Sequence, residues 1–282
     1  MMMHTRRWQL ARGCWEIPHG GAVMGILNVT PDSFSDGGLH AGVPAALAHA
    51  RRMLAAGAHI IDIGGESTRP GAAEVSIQEE LERVVPVMRA LRWEFPDALL
   101  SVDTRHAEVA RAALEEGADI LNDITGLADA AMRCVCREIP CGIVVMHMQG
   151  EPATMQQNPV YQDVVAEVRS FFETRLALLE SEGIDPLRVC LDPGIGFGKT
   201  VEHNLSLIRE LSALRVQDRP LLMALSRKRF MGSILGDAAL AREQVWPTLA
   251  MSLLAAERGA DMHRVHDIAE LCGALKLRQA LL

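Results

Sequence analysis

One pattern constrains this chain more than any other: a short apolar segment followed by a longer amphipathic one, repeated eight times. The apolar segments are 22–28, 59–64, 98–103, 119–122, 142–147, 188–192, 220–225 and 260–265. Unbroken apolar runs of this length fit parallel strands, whose two faces are both covered. The intervening stretches 44–57, 105–117, 160–183, 204–214 and 243–259 read as helices, as does the one opening at Ser76. Ser76 and Glu79 form the S-x-x-E pattern of a capping box. Gly57, Gly117 and Gly259 each stand where a helix must end before a strand, a place for the left-handed conformation. Eight β-then-α units in 282 residues predict an α/β chain folded as a single TIM (β/α)8 barrel. The domain is expected to span 1–282, with its core at about 20–275. The competing arrangement, a doubly wound sheet, more often has fewer strands and a Gly-rich phosphate turn after the first.

Composition narrows the partners. Hydrophobic residues make up 49% but aromatics only 4%, so the core must be mostly Ala, Leu, Val, Ile and Met. A net charge of −8 argues against nucleic acid or an acidic membrane surface as partner. It leaves room for an anionic small molecule held by a local cluster of cations. No stretch reaches the ~20 apolar residues of a membrane span, and the first residues lack the apolar segment of a signal peptide. The six cysteines are scattered without a paired CxxC framework, and Cys134-x-Cys136 reads as helix packing. A reduced, cytoplasmic protein is expected.

The ends of the eight apolar segments carry the chemistry. In order they deliver Asn28, Asp62 with Glu66, Asp103, Asn122 with Asp123, His147, Asp192, Ser226 to Lys228, and Arg264 to Asp267. In a TIM barrel these ends converge on the face where active sites lie. Some of them must serve only as helix caps, since Asp and Asn commonly do. Asp103, Asn122 and Asp192 suit a heterocycle rich in N–H groups. Arg69, Lys228, Arg264 and His266 suit phosphate oxygens, which arginine binds bidentately. Such a set points to a substrate with a polar ring at one end and an anion at the other. Two Gly/Pro/Ser/Thr-rich loops follow the first two strands, at 30–38 and 64–71, a composition typical of functional loops at a barrel mouth. Residues 193–200, PGIGFGKT, mimic a P-loop but place Pro193 where Gly is required. The histidines at 4, 19, 40, 49, 59, 106 and 203 lack metal-ligand spacing, and His147 reads as supporting rather than ligating.

These same residues carry a resemblance. Residues 24–38, MGILNVTPDSFSDGG, and 62–71, DIGGESTRPG, resemble the two signatures of the dihydropteroate synthase family. SVDT at 101–104, NDITG at 122–126, MHM at 146–148, LDPGIGFGK at 191–199, SRK at 226–228 and RVHD at 264–267 resemble its remaining motifs, in order. The resemblance implies a transferase that joins 6-hydroxymethyl-7,8-dihydropterin diphosphate to 4-aminobenzoate, on the route to folate. It places Asp103, Asn122, Asp192 and Lys228 on the pterin, and Asn28, Arg264 and His266 on the diphosphate. Mg²⁺ is implied near Asn28, with Asp36 left open as a second ligand. Thr68 and Arg69 are implied to reach the substrate from the second loop. Phe197, with Pro70 and Lys228, is implied on the aminobenzoate side. Among these, Asp103, Asp192, Lys228, Thr68 and Arg69 are the expected catalytic set, and a homodimer is the expected assembly. Two departures stand out: Arg229 where Ser is common, and Ala224-Leu225 where a Gly is frequent. Related readings are a methyltetrahydrofolate-dependent methyltransferase and a pterin-binding paralogue without turnover. The first needs no diphosphate-handling loops, and the second usually lacks a loop residue or anion ligand; here all are present.

Overall fold

The computed structural model describes residues 6–30, 38–66, 75–151 and 154–281. All eight expected strands form: β3 (Ala22–Asn28), β4 (Ile60–Gly64), β5 (Leu99–Asp103), β6 (Ile120–Asp123), β7 (Gly142–Met146), β8 (Val189–Asp192), β9 (Leu222–Met223) and β10 (Met262–Val265). They lie parallel, and neighbours in space are neighbours in the chain, with β10 pairing back onto β3. The remaining seam, β8 to β9, closes through a bridge between Leu191 and Leu221, where Leu191 N–H donates to Pro220 O at 2.8 Å. The result is the α/β barrel that the repeat predicts. The seventh strand is shorter than expected, two residues instead of the run 220–225.

Period-two alternation sorts each strand's residues. Leu27, Ile61, Ile63, Leu100, Val102, Leu121 and Val145 face outward into a core shared with the helices. Met24, Ile60, Ile120, Val144, Cys190, Leu222 and Met262 point inward at the N-terminal end. The same inward parity, carried toward the C-terminal ends, reaches Asn28, Asp62, Ser101, Asp103, Asn122, Asp192 and Arg264. The barrel interior is thus apolar at one end and polar at the other.

A hairpin not anticipated from sequence seals the apolar end. Strands β1 (Arg7–Leu10) and β2 (Gly13–Glu16) pair antiparallel, and Trp8 and Leu10 are buried among the lower barrel residues. The indole Nε1 donates to Arg188 O at 2.6 Å. A Cβ at Gly142 would lie 2.4 Å from Leu10 Cδ2 and 3.1 Å from Trp8 Cζ2, so glycine there lets the hairpin side chains pack close. The core therefore begins well before residue 20, correcting the expected boundary.

The helices are α1 (Gly38–Ala55), α2 (Ile77–Glu94), α3 (Ala107–Glu115), α4 (Ala130–Glu138), α5 (Val164–Ser181), α6 (Val201–Arg209), α7 (Arg229–Leu235), α8 (Ala238–Glu243), α9 (Trp246–Glu257) and α10 (Ile268–Gln279). The α2 capping box forms as predicted: Ser76 Oγ accepts from Glu79 N–H at 3.3 Å and Glu79 Oε2 from Ser76 N–H at 3.1 Å. The expected helix 243–259 forms as α9 but opens three residues later, at Trp246, where Pro247, which has no N–H to donate, sits in the first turn. The expected 204–214 helix begins earlier, at the Thr200 cap, and ends in a separate 3₁₀ turn over Leu211–Leu214. The expected 160–183 helix starts later, where Asp163 caps the N–H groups of Val165 and Ala166. Helices α7, α8 and α10 were not foreseen. Among the described residues no helix is long and apolar enough to cross a membrane, and all six cysteines are free thiols.

Candidate active site

The polar end of the barrel is organised around Arg264, which points inward from β10. Its Nε donates to Asp62 Oδ2 at 2.6 Å and its Nη2 to Asp103 Oδ2 at 2.6 Å. Asp62 Oδ2 also accepts from Asn122 Nδ2 at 3.2 Å. Four strands thereby meet through side chains. Asn28, the last residue of β3, lies beside them: a Cβ on Gly64 would sit 3.6 Å from Asp103 Cβ and 3.9 Å from Asn28 Oδ1. Gly64 is the low wall between the two.

The β8 end supplies the opposite side. Asp192 Oδ1 accepts from Gly194 N–H at 2.7 Å. Gly194 has φ +66°, and a Cβ there would fall 1.9 Å from His147 O, so the tight turn requires glycine. The turn carries Phe197, whose ring centroid lies 4.3 Å from Lys228 Nζ. That is a cation–π contact. Among the described residues, the Lys228 ammonium has this ring but no hydrogen-bond acceptor of its own.

Charge in this pocket is poorly solvated, and its pKa values are displaced accordingly. Burial pushes the Asp103 carboxyl up to about 7; Arg264 opposes the shift, while Asp62, Glu80 and Asp123 reinforce it. Burial also raises Asp192, against the pull of Gly194 N–H and Lys228. Burial lowers Lys228 to about 8, with Asp192 resisting. Burial works against the Arg264 charge too, yet Asp62 and Asp103 outweigh it and hold the guanidinium protonated. These are the displaced values a working site shows, with acids and a base brought toward neutrality.

His266 sits at the rim with Ser226. The Ser226 hydroxyl accepts from His266 N–H at 3.2 Å, and its oxygen is 2.9 Å from His266 Nδ1. Ser226 Oγ and His266 Nδ1 form a hydrogen-bonded pair whose direction follows the imidazole tautomer. Arg227, at φ +57°, turns away and pairs with Asp267 at 2.8 Å. Arg229 is exposed at the start of α7.

Asn28, Asp103, Asn122, Asp192, Phe197, Lys228, Arg264 and His266 thus share one end of the barrel. Thr68, Arg69, Pro70 and Asp36 lie outside the described residues. Two strand-end groups turn out to be structural. Asp123 faces outward and caps its own turn, accepting from Thr125 and Leu127 N–H groups at 2.8 and 2.9 Å. His147 also faces outward and stays neutral, because burial and Lys199 lower it to about 3. The Lys199 ammonium is enclosed by His147 Nδ1 and the carbonyls of His147, Gly194 and Phe197 at 2.9–3.2 Å. It therefore braces the turn instead of reaching a phosphate, as the rejection of the P-loop requires. Two participants carried no assigned role in the sequence reading: Asp62 and Lys199. Asp62 had one usable signal, its period-two spacing from Gly64 on an inward face.

Glu66 closes the base of the second loop. Its carboxylate takes both Arg105 Nε and Nη2 at 3.0 Å and lies 3.5 Å from Val75 N. Residues on either side of 67–74 are thereby clipped together.

Comparison with known proteins agrees with this geometry. The family model described as pterin binding enzyme matches residues 24–266. A dihydropteroate synthase of Synechocystis sp. is 48% identical over 92% of this chain and 89% of its own length. One from Escherichia coli is 46% identical over 94% of this chain and 92% of its own. Among solved structures, the Xanthomonas albilineans dihydropteroate synthase with 4-aminobenzoic acid superposes with a TM-score of 0.90 at 43% identity, covering 99% of this chain and 98% of that one. The Burkholderia cenocepacia dihydropteroate synthase complexed with 7,8-dihydropteroate gives 0.88 at 40% identity, with coverage of 99% and 98%. The chain belongs to the pterin-binding enzymes and, among them, to the dihydropteroate synthases.

Proposed function

We propose that this chain condenses 6-hydroxymethyl-7,8-dihydropterin diphosphate with 4-aminobenzoate, giving 7,8-dihydropteroate and diphosphate. One observation carries the residue assignment: Arg264 is shared by Asp62 and Asp103 inside the barrel, so an anion donor and ring acceptors occupy one pocket. The ring end is Asp103, Asn122 and Asp192, whose oxygens accept from pterin N–H groups. The anion end is Arg264, His266 and Asn28.

The reaction breaks the bond between the pterin methylene carbon and a diphosphate oxygen, and forms one from that carbon to the aniline nitrogen. Negative charge grows on the leaving group, where aimed donors are worth several kcal/mol. Arg264 and His266 are those donors. The electron-rich dihydropterin stabilises the electron-poor carbon left behind, and Asp103 and Asp192 share the growing positive charge of the ring. The free amine is nucleophilic near neutral pH and loses its proton after attack, so a strong general base is not needed. Phe197 and Lys228 line the side from which the amine arrives. Thr68 and Arg69, outside the described residues, are assigned by their motif to contact substrate and help exclude water.

Asn28 is the residue that fits Mg²⁺. The described residues contain no group of three or more His, Cys, Asp or Glu able to hold a metal. Mg²⁺ asks for less, since it commonly keeps several waters and takes substrate phosphate oxygens, and an amide oxygen completes such a shell. Bound there, it would supply positive charge to the diphosphate oxygens. A cytoplasmic homodimer is part of the same reading, checked by sedimentation.

The test mixes purified protein, pterin diphosphate, aminobenzoate and Mg²⁺ and follows diphosphate. Stoichiometric release with dihydropteroate is expected; no release rejects the assignment. Isotope effects at the methylene carbon that report strong participation of the amine reject the dissociative order of events.

A further inference from the structure

We infer that Asp62 is a positioning residue that couples the anion-binding end of the pocket to its ring-binding end. The inference rests on the proposed reading of those two ends.

Asp62 lies in the middle of β4, faces the barrel interior and has no exposed surface. A single oxygen, Oδ2, accepts from Arg264 Nε at 2.6 Å and from Asn122 Nδ2 at 3.2 Å. The first is an anion donor from β10, the second a ring-binding amide from β6. Arg264 continues the line to Asp103 on β5 at 2.6 Å. The sequence of contacts Asn122, Asp62, Arg264, Asp103 therefore passes from ring end to anion end and back.

A purely structural role for Asp62, as counter-ion to Arg264, accounts for less. Asp103 already supplies one negative charge to that guanidinium. A second buried carboxylate carries a desolvation cost that stability alone does not repay. Nor is Asp62 fully used by the fold: among the described residues its Oδ1 is buried without a hydrogen-bond partner. Ser101, its register partner on β5, has a buried Oγ in the same condition. Capacity is thus left at the floor of the pocket. What Asp62 does fix is direction. With Nε tied to Asp62 and one Nη2 proton tied to Asp103, the guanidinium plane is set, and the remaining donors aim where the leaving group must lie. An anion that fastens those donors also fastens Asp62, and with it the Asn122 amide. The ordering is then done once for both ligands, which makes their binding mutually favourable.

The experiment is calorimetry with two separate probes, 6-hydroxymethylpterin and inorganic diphosphate, both with Mg²⁺. In the wild-type protein each should tighten the other by about fivefold, by the same factor in both orders of addition. In Asp62→Asn both still bind, more weakly, and the factor falls to within about twofold of one. Because the readout is a ratio, general weakening of either ligand does not imitate the loss. Should Asp62→Asn fail to fold by circular dichroism, Asn122→Ser decides, because it cuts the same line on the far side of Asp62 and should abolish the factor too. Undiminished coupling in the variant that folds, or none in the wild type, overturns the inference. Failure of the wild type to bind either probe instead removes the functional reading beneath it.

Discussion

At the N-terminal end of the barrel Asp119 holds Arg12 and Arg92; at the C-terminal end Asp62 and Asp103 hold Arg264. The partners are alike and the completeness is not. Asp119 accepts from Arg12 Nε at 2.6 Å and Nη2 at 3.1 Å, from Arg92 Nη2 at 2.7 Å and from Leu100 N–H at 2.9 Å. The other donors of Arg92 go to the carbonyls of Gly117, Phe95, Pro96 and Ala98. Around Arg264 only Nε and Nη2 are engaged among the described residues, Asp62 Oδ1 is unpaired, and Lys228 has a ring in place of an acceptor. A closed network rigidifies, whereas a half-closed one holds capacity for a ligand and carries a stability cost until it arrives.

The same substitution at both ends should therefore produce opposite results. Asp103→Asn is expected to lower kcat/KM by about three to four orders of magnitude, through lost ring binding and charge stabilisation. Its melting temperature should hold or rise, since a poorly solvated carboxylate has been removed. Asp119→Asn should leave kcat of the folded protein unchanged and remove about 3 kcal/mol of stability, because two guanidiniums lose their charged partner. Steady-state kinetics and urea unfolding on both variants settle the matter. A slow Asp119→Asn enzyme, or an unstable but active Asp103→Asn, would erase the distinction between the ends.

The hairpin tests the structural end without touching charge. Trp8 is fully buried against the lower barrel, so Trp8→Ala should cost about 4 kcal/mol through lost burial and a residual cavity. Turnover below the melting transition should match wild type. If it falls in proportion to the stability lost, the plug supports the pocket as well as the fold, and the two ends are one cooperative unit.

How much of this was readable in advance follows from range. The polar strand endings were visible because inward parity and strand length act over a few residues, and Asp103, Asn122, Asp192 and Arg264 all lie at such endings. The hairpin was not, since Trp8 meets Arg188 and Leu10 meets Gly142 across long separations in the chain. Locally, residues 7–16 are too short to announce a buried face. Pro247 was in plain view, but a proline tolerated in a first turn and one that breaks a helix look alike in sequence. Lys199 was legible only in part: Pro193 rules out a P-loop in the sequence, but only the fold brings the four acceptors of its cage around the ammonium. Asp62 belongs with these, as its meaning comes from Arg264, 202 residues away.

The smallest of the expected effects is also the most direct measure of how open the functional end is. Asp103 sits at about 7 in the fold because burial outweighs Arg264, against roughly 3.9 in an unfolded chain. Below about pH 4 both states hold the proton and the fold loses nothing. As pH rises the unfolded chain ionises first, so stability drains away until about pH 7 and then levels. Lys228, lowered to about 8 by burial, acts on the other flank: its penalty is present below about pH 8 and lifts as pH climbs toward the free lysine value near 10.4. The ligand-free protein should thus be least stable between about pH 7 and 8 as far as these two groups decide it. Between pH 5 and 7 the Asp103 contribution is about 2 kcal/mol. Urea unfolding at intervals across that range should give wild-type and Asp103→Asn curves that converge toward acid and separate toward neutrality, the variant being the more stable. Parallel curves would mean that Arg264 holds the Asp103 carboxylate so well that folding does not resist its ionisation. The pocket would then be as fully paired as the cluster at Asp119, and its readiness for a substrate would need another source.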